Sequence, residues 1–313
     1  MKKSIIIYIT AVFLIFSITV AAQNSRSKDK VIVKSEQFIT PLLKKWISDF
    51  KVINPDIQIE LASNNTRAED IDVFLTGSGN LINVEEKNKS RAISSVGRYA
   101  ILPVANIRNP YLQEIKKKKI NSKQLKDLFF EESVLAVSNK SKKEEISNVT
   151  VYSGNNSKSG AETFAAHFGF PGEDIKGKKI VGDDIFLIQA IQKDNTGLSF
   201  NKISYLFDGD TRKLKNDLAI LPLDVKRDLS DALANANIDE LLQLLEREKS
   251  DLIPVADIKF SYENDNAEII NFIKWILSDG QEFNHQFGFL NLEPAELALE
   301  IKKLDDIYLT SSN

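Results

Sequence analysis

The feature of this sequence that most constrains its fold is a recurring unit, in which a short apolar strand ends in a turn of small polar residues. The apolar segments lie at 31–33, 57–61 and 71–75, and the polar turns follow them at 35–39, 62–66 and 76–79. Strands that alternate with helices form parallel sheets, whose ligands bind beyond the carboxyl ends of the strands. The pattern therefore predicts an α/β fold in which the three turns lie on one rim of a parallel sheet.

A fourth turn of this kind lies at 149–168, VTVYSGNNSKSGAETFAAHF. The spacing predicts a strand, a loop and then a helix that begins near Ser159 and Gly160. The first N–H groups of a helix have no partner within the helix, so with the Ser157 and Ser159 hydroxyls they can bind an anion. In a second interpretation, Ser159 is an ordinary N-cap that forms a capping box with Glu162. The recurrence of such turns favours a binding site.

The first 22 residues are typical of a secretory signal peptide. Two lysines precede an apolar run at 5–20, and the small residues Ala21 and Ala22 follow. The competing interpretation is a retained membrane anchor, but the run is shorter than the roughly 20 residues that span a bilayer. Cleavage after Ala22 is predicted, and no cysteine follows to carry a lipid. We therefore expect a periplasmic or secreted protein.

The charge of the mature chain argues against a nucleic-acid partner. Without Lys2 and Lys3, 39 of the 41 basic residues remain against 44 acidic ones, which leaves a net charge of −5. Proteins that bind nucleic acid instead present a basic surface. The chain has no cysteine, which excludes disulfides and thiolate metal sites. The roughly 290 mature residues suffice for one large lobe or two medium ones.

Two apolar segments that contain a proline predict where the chain passes between lobes. Because proline is disfavoured inside a central ladder, the segment at 98–107 with Pro103 is interpreted as an edge strand or a crossover. The similar segment at 218–223 is interpreted as a returning crossover. The predicted division is residues 23–103 with 252–313 for one lobe and 104–251 for the other.

Catalytic motifs are missing from the sequence. It contains two histidines, His167 and His285, and no Gly-x-Ser-x-Gly nucleophile motif. The glycine-rich segment LTGSGN at 75–80 lacks the lysine of a phosphate-binding P-loop. We therefore expect a protein that is not an enzyme and that uses no cofactor and no metal.

Five segments together resemble the periplasmic phosphate-binding proteins of ABC transporters. The segments are FITPLLKKW at 38–46, ASNN at 62–65, IDVFLTGS at 71–78, SKSGAETF at 157–164 and WILSDGQEFNHQFGFLNL at 275–292. The last is the most specific, since Trp275, Gly280, Gln281, Gly288 and Phe289 recur in the order of that family. The similarity covers most of the mature chain.

The resemblance implies a two-lobed periplasmic-binding-protein fold of the type II, Venus-flytrap kind, with two crossover segments. It implies an oxyanion ligand between the lobes, an ABC transporter permease as partner, and a monomer. Carried over position by position, it implies a ligand shell of the Gln37 and Phe38 amides, Ser63, Thr76, Gly77, Asn155, Ser159, Gly160 and Ala161.

Three positions depart from the pattern of phosphate binders. Gly77 stands where the family usually has an aspartate, Asn155 where it has an arginine, and Ala161 where it has a threonine. Loss of both the aspartate and the arginine predicts a neutral site, because losing one alone would leave the other buried without a counter-charge. The resemblance, and not these three residues, implies phosphate or a similar oxyanion as the ligand. The alternative is a protein of the same fold that has lost high-affinity phosphate binding and acts as a sensory or interaction module.

Overall fold

A computed structural model of the chain describes residues 30–77, 91–115, 118–131, 149–155, 160–263 and 266–311. The predicted signal peptide at 1–22 lies outside these residues. So do Ser157 and Ser159 of the fourth turn, and a short strand expected at 133–138. Among the described helices, none is long and apolar enough to cross a membrane.

Strands and helices alternate along most of the described chain. The strands are β1 (Val31–Ser35), β2 (Ile59–Leu61), β3 (Val73–Thr76), β4 (Arg91–Asn106), β5 (Thr150–Gly154), β6 (Lys178–Ile180), β7 (Gly197–Lys202), β8 (Leu218–Ile220) and β9 (Val255–Glu263). The α-helices are α1 (Thr40–Ile53), α2 (Pro110–Ile115), α3 (Ser122–Phe129), α4 (Gly160–Phe168), α5 (Ile185–Lys193), α6 (Ile203–Leu206), α7 (Arg227–Asn235), α8 (Ile238–Arg247), α9 (Ala267–Leu277) and α10 (Pro294–Ser311). Short 3-10 turns lie at Ala68–Asp70, Gly172–Asp174, Asp279–Phe283 and His285–Phe287.

The described strands form one mixed sheet in the order β2-β1-β3-β9-β4-β7-β5-β6, with β8 also paired to β4. β1 runs parallel to β2 and β3, and β5 runs parallel to β6 and β7. The pairings of β9 with β3 and β4, and of β4 with β7 and β8, are antiparallel. The predicted parallel sheet is therefore correct for the outer strands and wrong for the centre, where the long strands β4 and β9 run antiparallel to each other and to the outer strands beside them.

The long strand β4 passes from one half of the sheet to the other. Residues 91–100 pair with β9, and residues 101–105 pair with β7. We call β1, β2, β3 and β9, with 91–100 of β4, the first lobe; the second lobe comprises β5 to β8, with 101–106 of β4. The predicted crossover at 98–107 thus exists, but Pro103 is not at an edge: it lies opposite Phe200, and its carbonyl accepts the Leu221 amide at 3.0 Å.

The sequence predicted that the segment at 218–223 returns the chain to the first lobe, and this prediction is wrong. Its residues 218–220 form β8, which pairs with 104–106 of β4 inside the second lobe. The chain continues through α7 and α8, and it returns where Val255 pairs with Ala100 at the start of β9. The proline there follows a short strand that ends at Ile220, so it breaks no ladder.

In the first lobe, α1 packs on the sheet through apolar residues that recur at helical spacing. Pro41 lies in the first turn, where its missing N–H costs no helical hydrogen bond. Leu42, Leu43 and Trp46 are fully buried, and the indole N–H of Trp46 donates to the Gly280 carbonyl at 2.8 Å. That hydrogen bond joins α1 to the carboxyl-terminal segment whose motif the sequence singled out.

The core of the second lobe contains stacked phenylalanines. Phe164 of α4 stacks on Phe200 of β7, with ring centroids 4.1 Å apart and 4° between the ring planes. Phe129, at the end of α3, meets the Phe164 ring edge-on at 5.1 Å. The start of α3 is capped, since the Asn121 side chain accepts the Gln124 amide in a capping box. This packing fixes the position of the first turn of α4.

Candidate functional site

The start of α4 holds a buried carboxylate that belongs to the protein itself. The Gly160 amide donates to Asp184 Oδ2 at 2.6 Å, and the Lys202 ammonium pairs with the same oxygen. The Asp184 and Lys202 side chains are only 2 % and 4 % exposed. The other oxygen, Asp184 Oδ1, is also buried and has no hydrogen-bond partner among the described residues. An ion pair therefore occupies the place where the sequence predicted a neutral site.

The local sequence explains why Asp184 is available for this contact. By position, either Asp183 or Asp184 could cap α5, and it is Asp183 Oδ1 that accepts the Ile185 amide, at 3.0 Å. The Asp184 carboxylate makes no capping hydrogen bond, so it can turn away from α5. Asn201 holds the neighbouring backbone in place, since its side chain donates to the Asp184 carbonyl and accepts the Lys202 amide.

Gly160 leaves the space through which the carboxylate approaches. A Cβ at this position would lie 3.2 Å from Asp184 Oδ2 and 3.6 Å from the Lys202 ammonium. Contacts at the shorter distance are tighter than nearly all those that real Cβ atoms make. Any larger residue at 160 would therefore disturb both the Asp184–Lys202 ion pair and the hydrogen bond from the backbone amide of residue 160 to Asp184.

Tyr99, on β4, joins the end of β3 to the first turn of α4. Its hydroxyl donates to the Gly77 carbonyl at 2.6 Å and lies 2.9 Å from the Thr163 hydroxyl, which donates to it in return. Burial raises the pKa of the Tyr99 phenol, so the hydroxyl keeps its proton. The first lobe and α4 are thereby connected by hydrogen bonds of a single side chain.

The Phe38 ring fills the space between the lobes. The residue is 4 % exposed, and its ring lies 5.2 Å from the Tyr99 ring, 5.9 Å from that of Phe289 and 6.3 Å from that of Tyr205. The Lys202 ammonium lies 4.6 Å from the centroid of the Phe38 ring, within the range of a cation–π interaction. Phe38 thus brings the first lobe against the ion pair of the second.

Packing around Gly77 explains why no aspartate stands there. A Cβ at this position would lie 2.6 Å from Phe38 Cζ and 2.7 Å from Tyr99 Cε1, so even alanine would displace the rings. The neighbouring Thr76 hydroxyl donates to the Glu36 carboxylate, which brings the first and third polar turns together. A carboxylate is thus present at this rim, but it comes from Glu36.

The structure brings together some of the predicted site residues and leaves others apart. Phe38, Thr76, Gly77, Gly160 and Ala161 are buried around Tyr99 and the ion pair. Gln37 and Asn155 are exposed, and the Gln37 and Phe38 amides have no hydrogen-bond partner among the described residues. Ser63 lies in an exposed turn, where its amide and hydroxyl bond to Thr66 Oγ1 at 2.9 and 3.0 Å. Ser159 lies outside the described residues.

Sequence reasoning missed four residues of this site: Glu36, Tyr99, Asp184 and Lys202. The one local signal was Lys202, which follows Leu198 and Phe200 at every second position of LSFNKISYLF and so falls on the apolar face of a strand. A buried lysine requires a counter-charge, but the sequence does not say which of 44 acidic residues supplies it. Within the described chain, no three His, Asp or Glu side chains are placed to hold a metal ion.

A separate cavity of about 340 Å³ lies between the lobes on residues that the sequence did not single out. Its walls include Phe38, Tyr205, Phe289 and Lys215, and neither Gly160 nor Asp184 contributes to it. Arg212 also lines it, but the guanidinium already donates to the Gln286 carbonyl and the Asp239 carboxylate. The cavity is therefore distinct from the start of α4.

The chain therefore has a two-lobed α/β fold, in which the start of a helix faces residues of the opposite lobe. No family model matches the chain, and no curated protein matches it. Solved structures do match.

One similar structure is a Clostridium perfringens protein assigned as a phosphate ABC transporter substrate-binding protein, with phosphate bound. The TM-score is 0.54 at 16% identity, over 84% of this chain and 99% of that one. An ABC-type phosphate transport receptor from Vibrio cholerae matches with a TM-score of 0.51 at 11% identity, over 84% of this chain and 100% of that one. A point mutant of full-length BenM matches with 0.51 at 14% identity, over 91% of this chain and 76% of that one.

At these identities the likeness shows the fold. The chain has the two-lobed fold of the periplasmic phosphate-binding proteins, as the sequence resemblance predicted. A shared fold does not fix the ligand, because one fold can carry different binding sites. What the protein binds must therefore be argued from its own site.

Proposed function

We propose that this protein is an exported substrate-binding protein, which captures phosphate or a similar oxyanion between its lobes and delivers it to the permease of an ABC importer. The observation that carries the proposal is the buried start of α4, where a backbone amide and an ammonium group converge on a negatively charged oxygen. A helix N-terminus with a nearby cation is the arrangement that an oxyanion requires. The protein acts by binding alone, as a monomer without a cofactor or a covalent step.

The identity of the cation also supports an anion as ligand. Asn155 replaces the arginine that phosphate binders usually place near the helix start, and Lys202 supplies a positive charge from β7 instead. A lysine is a compact charge without the planar, bidentate geometry of a guanidinium. The site is therefore expected to select for negative charge more than for one anion geometry. The C. perfringens protein, which has the same fold, is seen with phosphate bound.

A second function is favoured by one observation, which is that Asp184 already occupies the start of α4. A protein whose anion position is filled internally can keep the fold without binding a free anion tightly. It would then act as a sensory or interaction module, recognised through its surface.

Isothermal titration of the mature protein, residues 23–313, with phosphate, sulfate and molybdate separates the two functions. Capture of an oxyanion predicts saturable heat with at least one of them, and compaction in X-ray scattering with the same anion as the lobes close. Lys202→Met should abolish that heat, whereas Lys215→Met, a matched change in the separate cavity, should preserve it. Absence of heat with all three anions would exclude oxyanion capture and leave the second function.

A further inference from the structure

We infer that the Asp184 carboxylate is an internal ligand, which occupies the anion position of α4 and competes there with any free oxyanion. The inference rests on the proposed function, because it concerns the same site. It makes Asp184 the residue that sets which anions bind and how tightly. A free anion and the Asp184 carboxylate are mutually exclusive at the Gly160 amide.

The contact geometry is that of a bound anion. Asp184 Oδ2 accepts a charge-assisted hydrogen bond from the Gly160 amide at 2.6 Å, and it also contacts the Lys202 ammonium. α4 is nine residues long, so its aligned peptide dipoles add to the attraction at this end. The carboxylate does not cap its own helix, because Asp183 supplies the capping oxygen of α5. The Asp184 carboxylate therefore hydrogen-bonds to the start of α4 and not to the start of its own helix, α5.

The Asp184 carboxylate uses only part of its capacity to accept hydrogen bonds at this position. An ionised carboxylate can accept about four hydrogen bonds through its two oxygens. Here Oδ1 is buried and has no partner among the described residues, although the Asp184 side chain is only 2 % exposed. A buried acceptor without a donor is costly. An oxyanion with more oxygens, or with one that reaches a donor, can therefore outcompete the side chain.

Charge sets which ligands can compete. If Asp184 leaves, the Lys202 ammonium stays buried against the Phe38 ring and needs another negative charge. A neutral ligand cannot replace the carboxylate. A tethered group acts at a high effective concentration, so a weak monoanion at low concentration does not displace it either. The apparent affinity of any free anion is reduced by the fraction of molecules in which Asp184 has vacated the amide.

The test compares Asp184→Asn with the wild type and with Asp183→Asn, by titration with inorganic phosphate and sulfate. Asp183→Asn removes the same charge one residue away and keeps a good capping side chain, so its affinity should equal that of the wild type. Asp184→Asn frees the Lys202 charge and weakens the competitor, so we expect affinity to rise by about ten-fold or more. Equal or weaker binding by Asp184→Asn than by the wild type would overturn the inference.

A second variant tests the internal ligand by chemical rescue. Asp184→Ala removes the carboxylate and leaves space beside Lys202 for formate. We expect this variant to unfold at a lower temperature than the wild type, and formate to restore it in a saturable way while leaving the wild type unchanged. Formate would then contact the Gly160 amide and the Lys202 ammonium, as the Asp184 carboxylate does in the wild type. A melting temperature of Asp184→Ala that formate does not change would contradict the inference.

The outcomes also separate this inference from the proposed function. If the wild type binds an oxyanion and Asp184→Asn binds it no better, oxyanion capture stands and the internal ligand is wrong. If only the Asp184 variants respond to anions, the internal ligand is right and the wild type does not capture free oxyanions. In that case the sensory or interaction function would hold.

Discussion

Removing the charge of Lys202 should destabilise the fold strongly, because it leaves the Asp184 carboxylate buried. The two side chains are 4 % and 2 % exposed, so water cannot replace the lost ammonium. Removing one partner of a buried ion pair typically costs about 3–5 kcal/mol, and the Gly160 amide alone does not offset it. Met has nearly the shape of Lys without its charge, so Lys202→Met keeps the packing on Phe38. We expect the free energy of unfolding to fall by about 3–5 kcal/mol.

A double-mutant cycle measures the coupling energy between Lys202 and Asp184. In Lys202→Met with Asp184→Asn, neither charge remains, so the loss should be smaller than that of Lys202→Met alone. We expect a coupling energy of at least about 2 kcal/mol. Urea unfolding followed by circular dichroism gives the four free energies. Fluorescence of Trp46 and Trp275, both in the first lobe, tests whether a substitution in the second lobe also changes the unfolding of the first lobe.

An exposed ion pair provides the control. Lys30 pairs with Glu60, and their side chains are 43 % and 53 % exposed, so Lys30→Met should cost about 0–1 kcal/mol. The argument would be refuted if Lys202→Met cost no more than Lys30→Met. It would also be refuted if the Lys202 and Asp184 changes were additive, because the two groups would then not share a buried contact.

Three further predictions concern other parts of the chain. Gly77→Ala should lower stability by about 1–3 kcal/mol in urea unfolding, since its Cβ would meet two aromatic rings at 2.6 and 2.7 Å; an unchanged midpoint would contradict the packing. Burial opposes ionisation of Glu246, but the hydrogen bonds from His285 and the Asn291 amide outweigh it and lower its pKa. The stabilisation is therefore complete above about pH 4.5 and lost as pH falls through the lowered value, so melts of Glu246→Gln should vary less with acid pH than the wild type. Mass spectrometry of the exported protein should find a mature chain that begins at Gln23; an intact Met1 in a membrane fraction would exclude cleavage.

The parts of the fold that local patterns determine could be predicted from the sequence. The apolar segment predicted at 31–33 lies in β1, which extends to Ser35, and the spacing of apolar residues with Pro41 in the first turn is enough to predict α1. The carboxyl-terminal motif predicted the two-lobed fold through its resemblance to the phosphate-binding family, and in the structure the carbonyl of its Gly280 accepts the Trp46 indole N–H. The antiparallel centre could not be predicted, since the pairing of β4 with β9 leaves no periodic signal in either strand.

The candidate site was predictable only in its helix. Gly160 was recognised because glycine and polar residues before a helical pattern predict a helix start. Asp184 and Lys202 come from two other elements, and the local reading of Asp184 was a helix cap. Which of two adjacent aspartates caps a helix depends on tertiary contacts that the sequence does not show. The ligand roles of all nine predicted residues stay predictions: Gln37, Phe38, Ser63, Thr76, Gly77, Asn155, Ser159, Gly160 and Ala161.

The shared strand β4 also determines the order in which the two lobes can fold. The second lobe uses nearly continuous chain, from the later part of β4 to the end of α8. The first lobe requires β9, and in that pairing Arg91 contacts Ser261, 170 residues later. Contacts of such high sequence separation form slowly, and a chain that emerges from its amino terminus must complete the second lobe first. Until β9 forms, the edge of β3 that it covers is unpaired, and this half-paired sheet is the species most exposed to aggregation during folding.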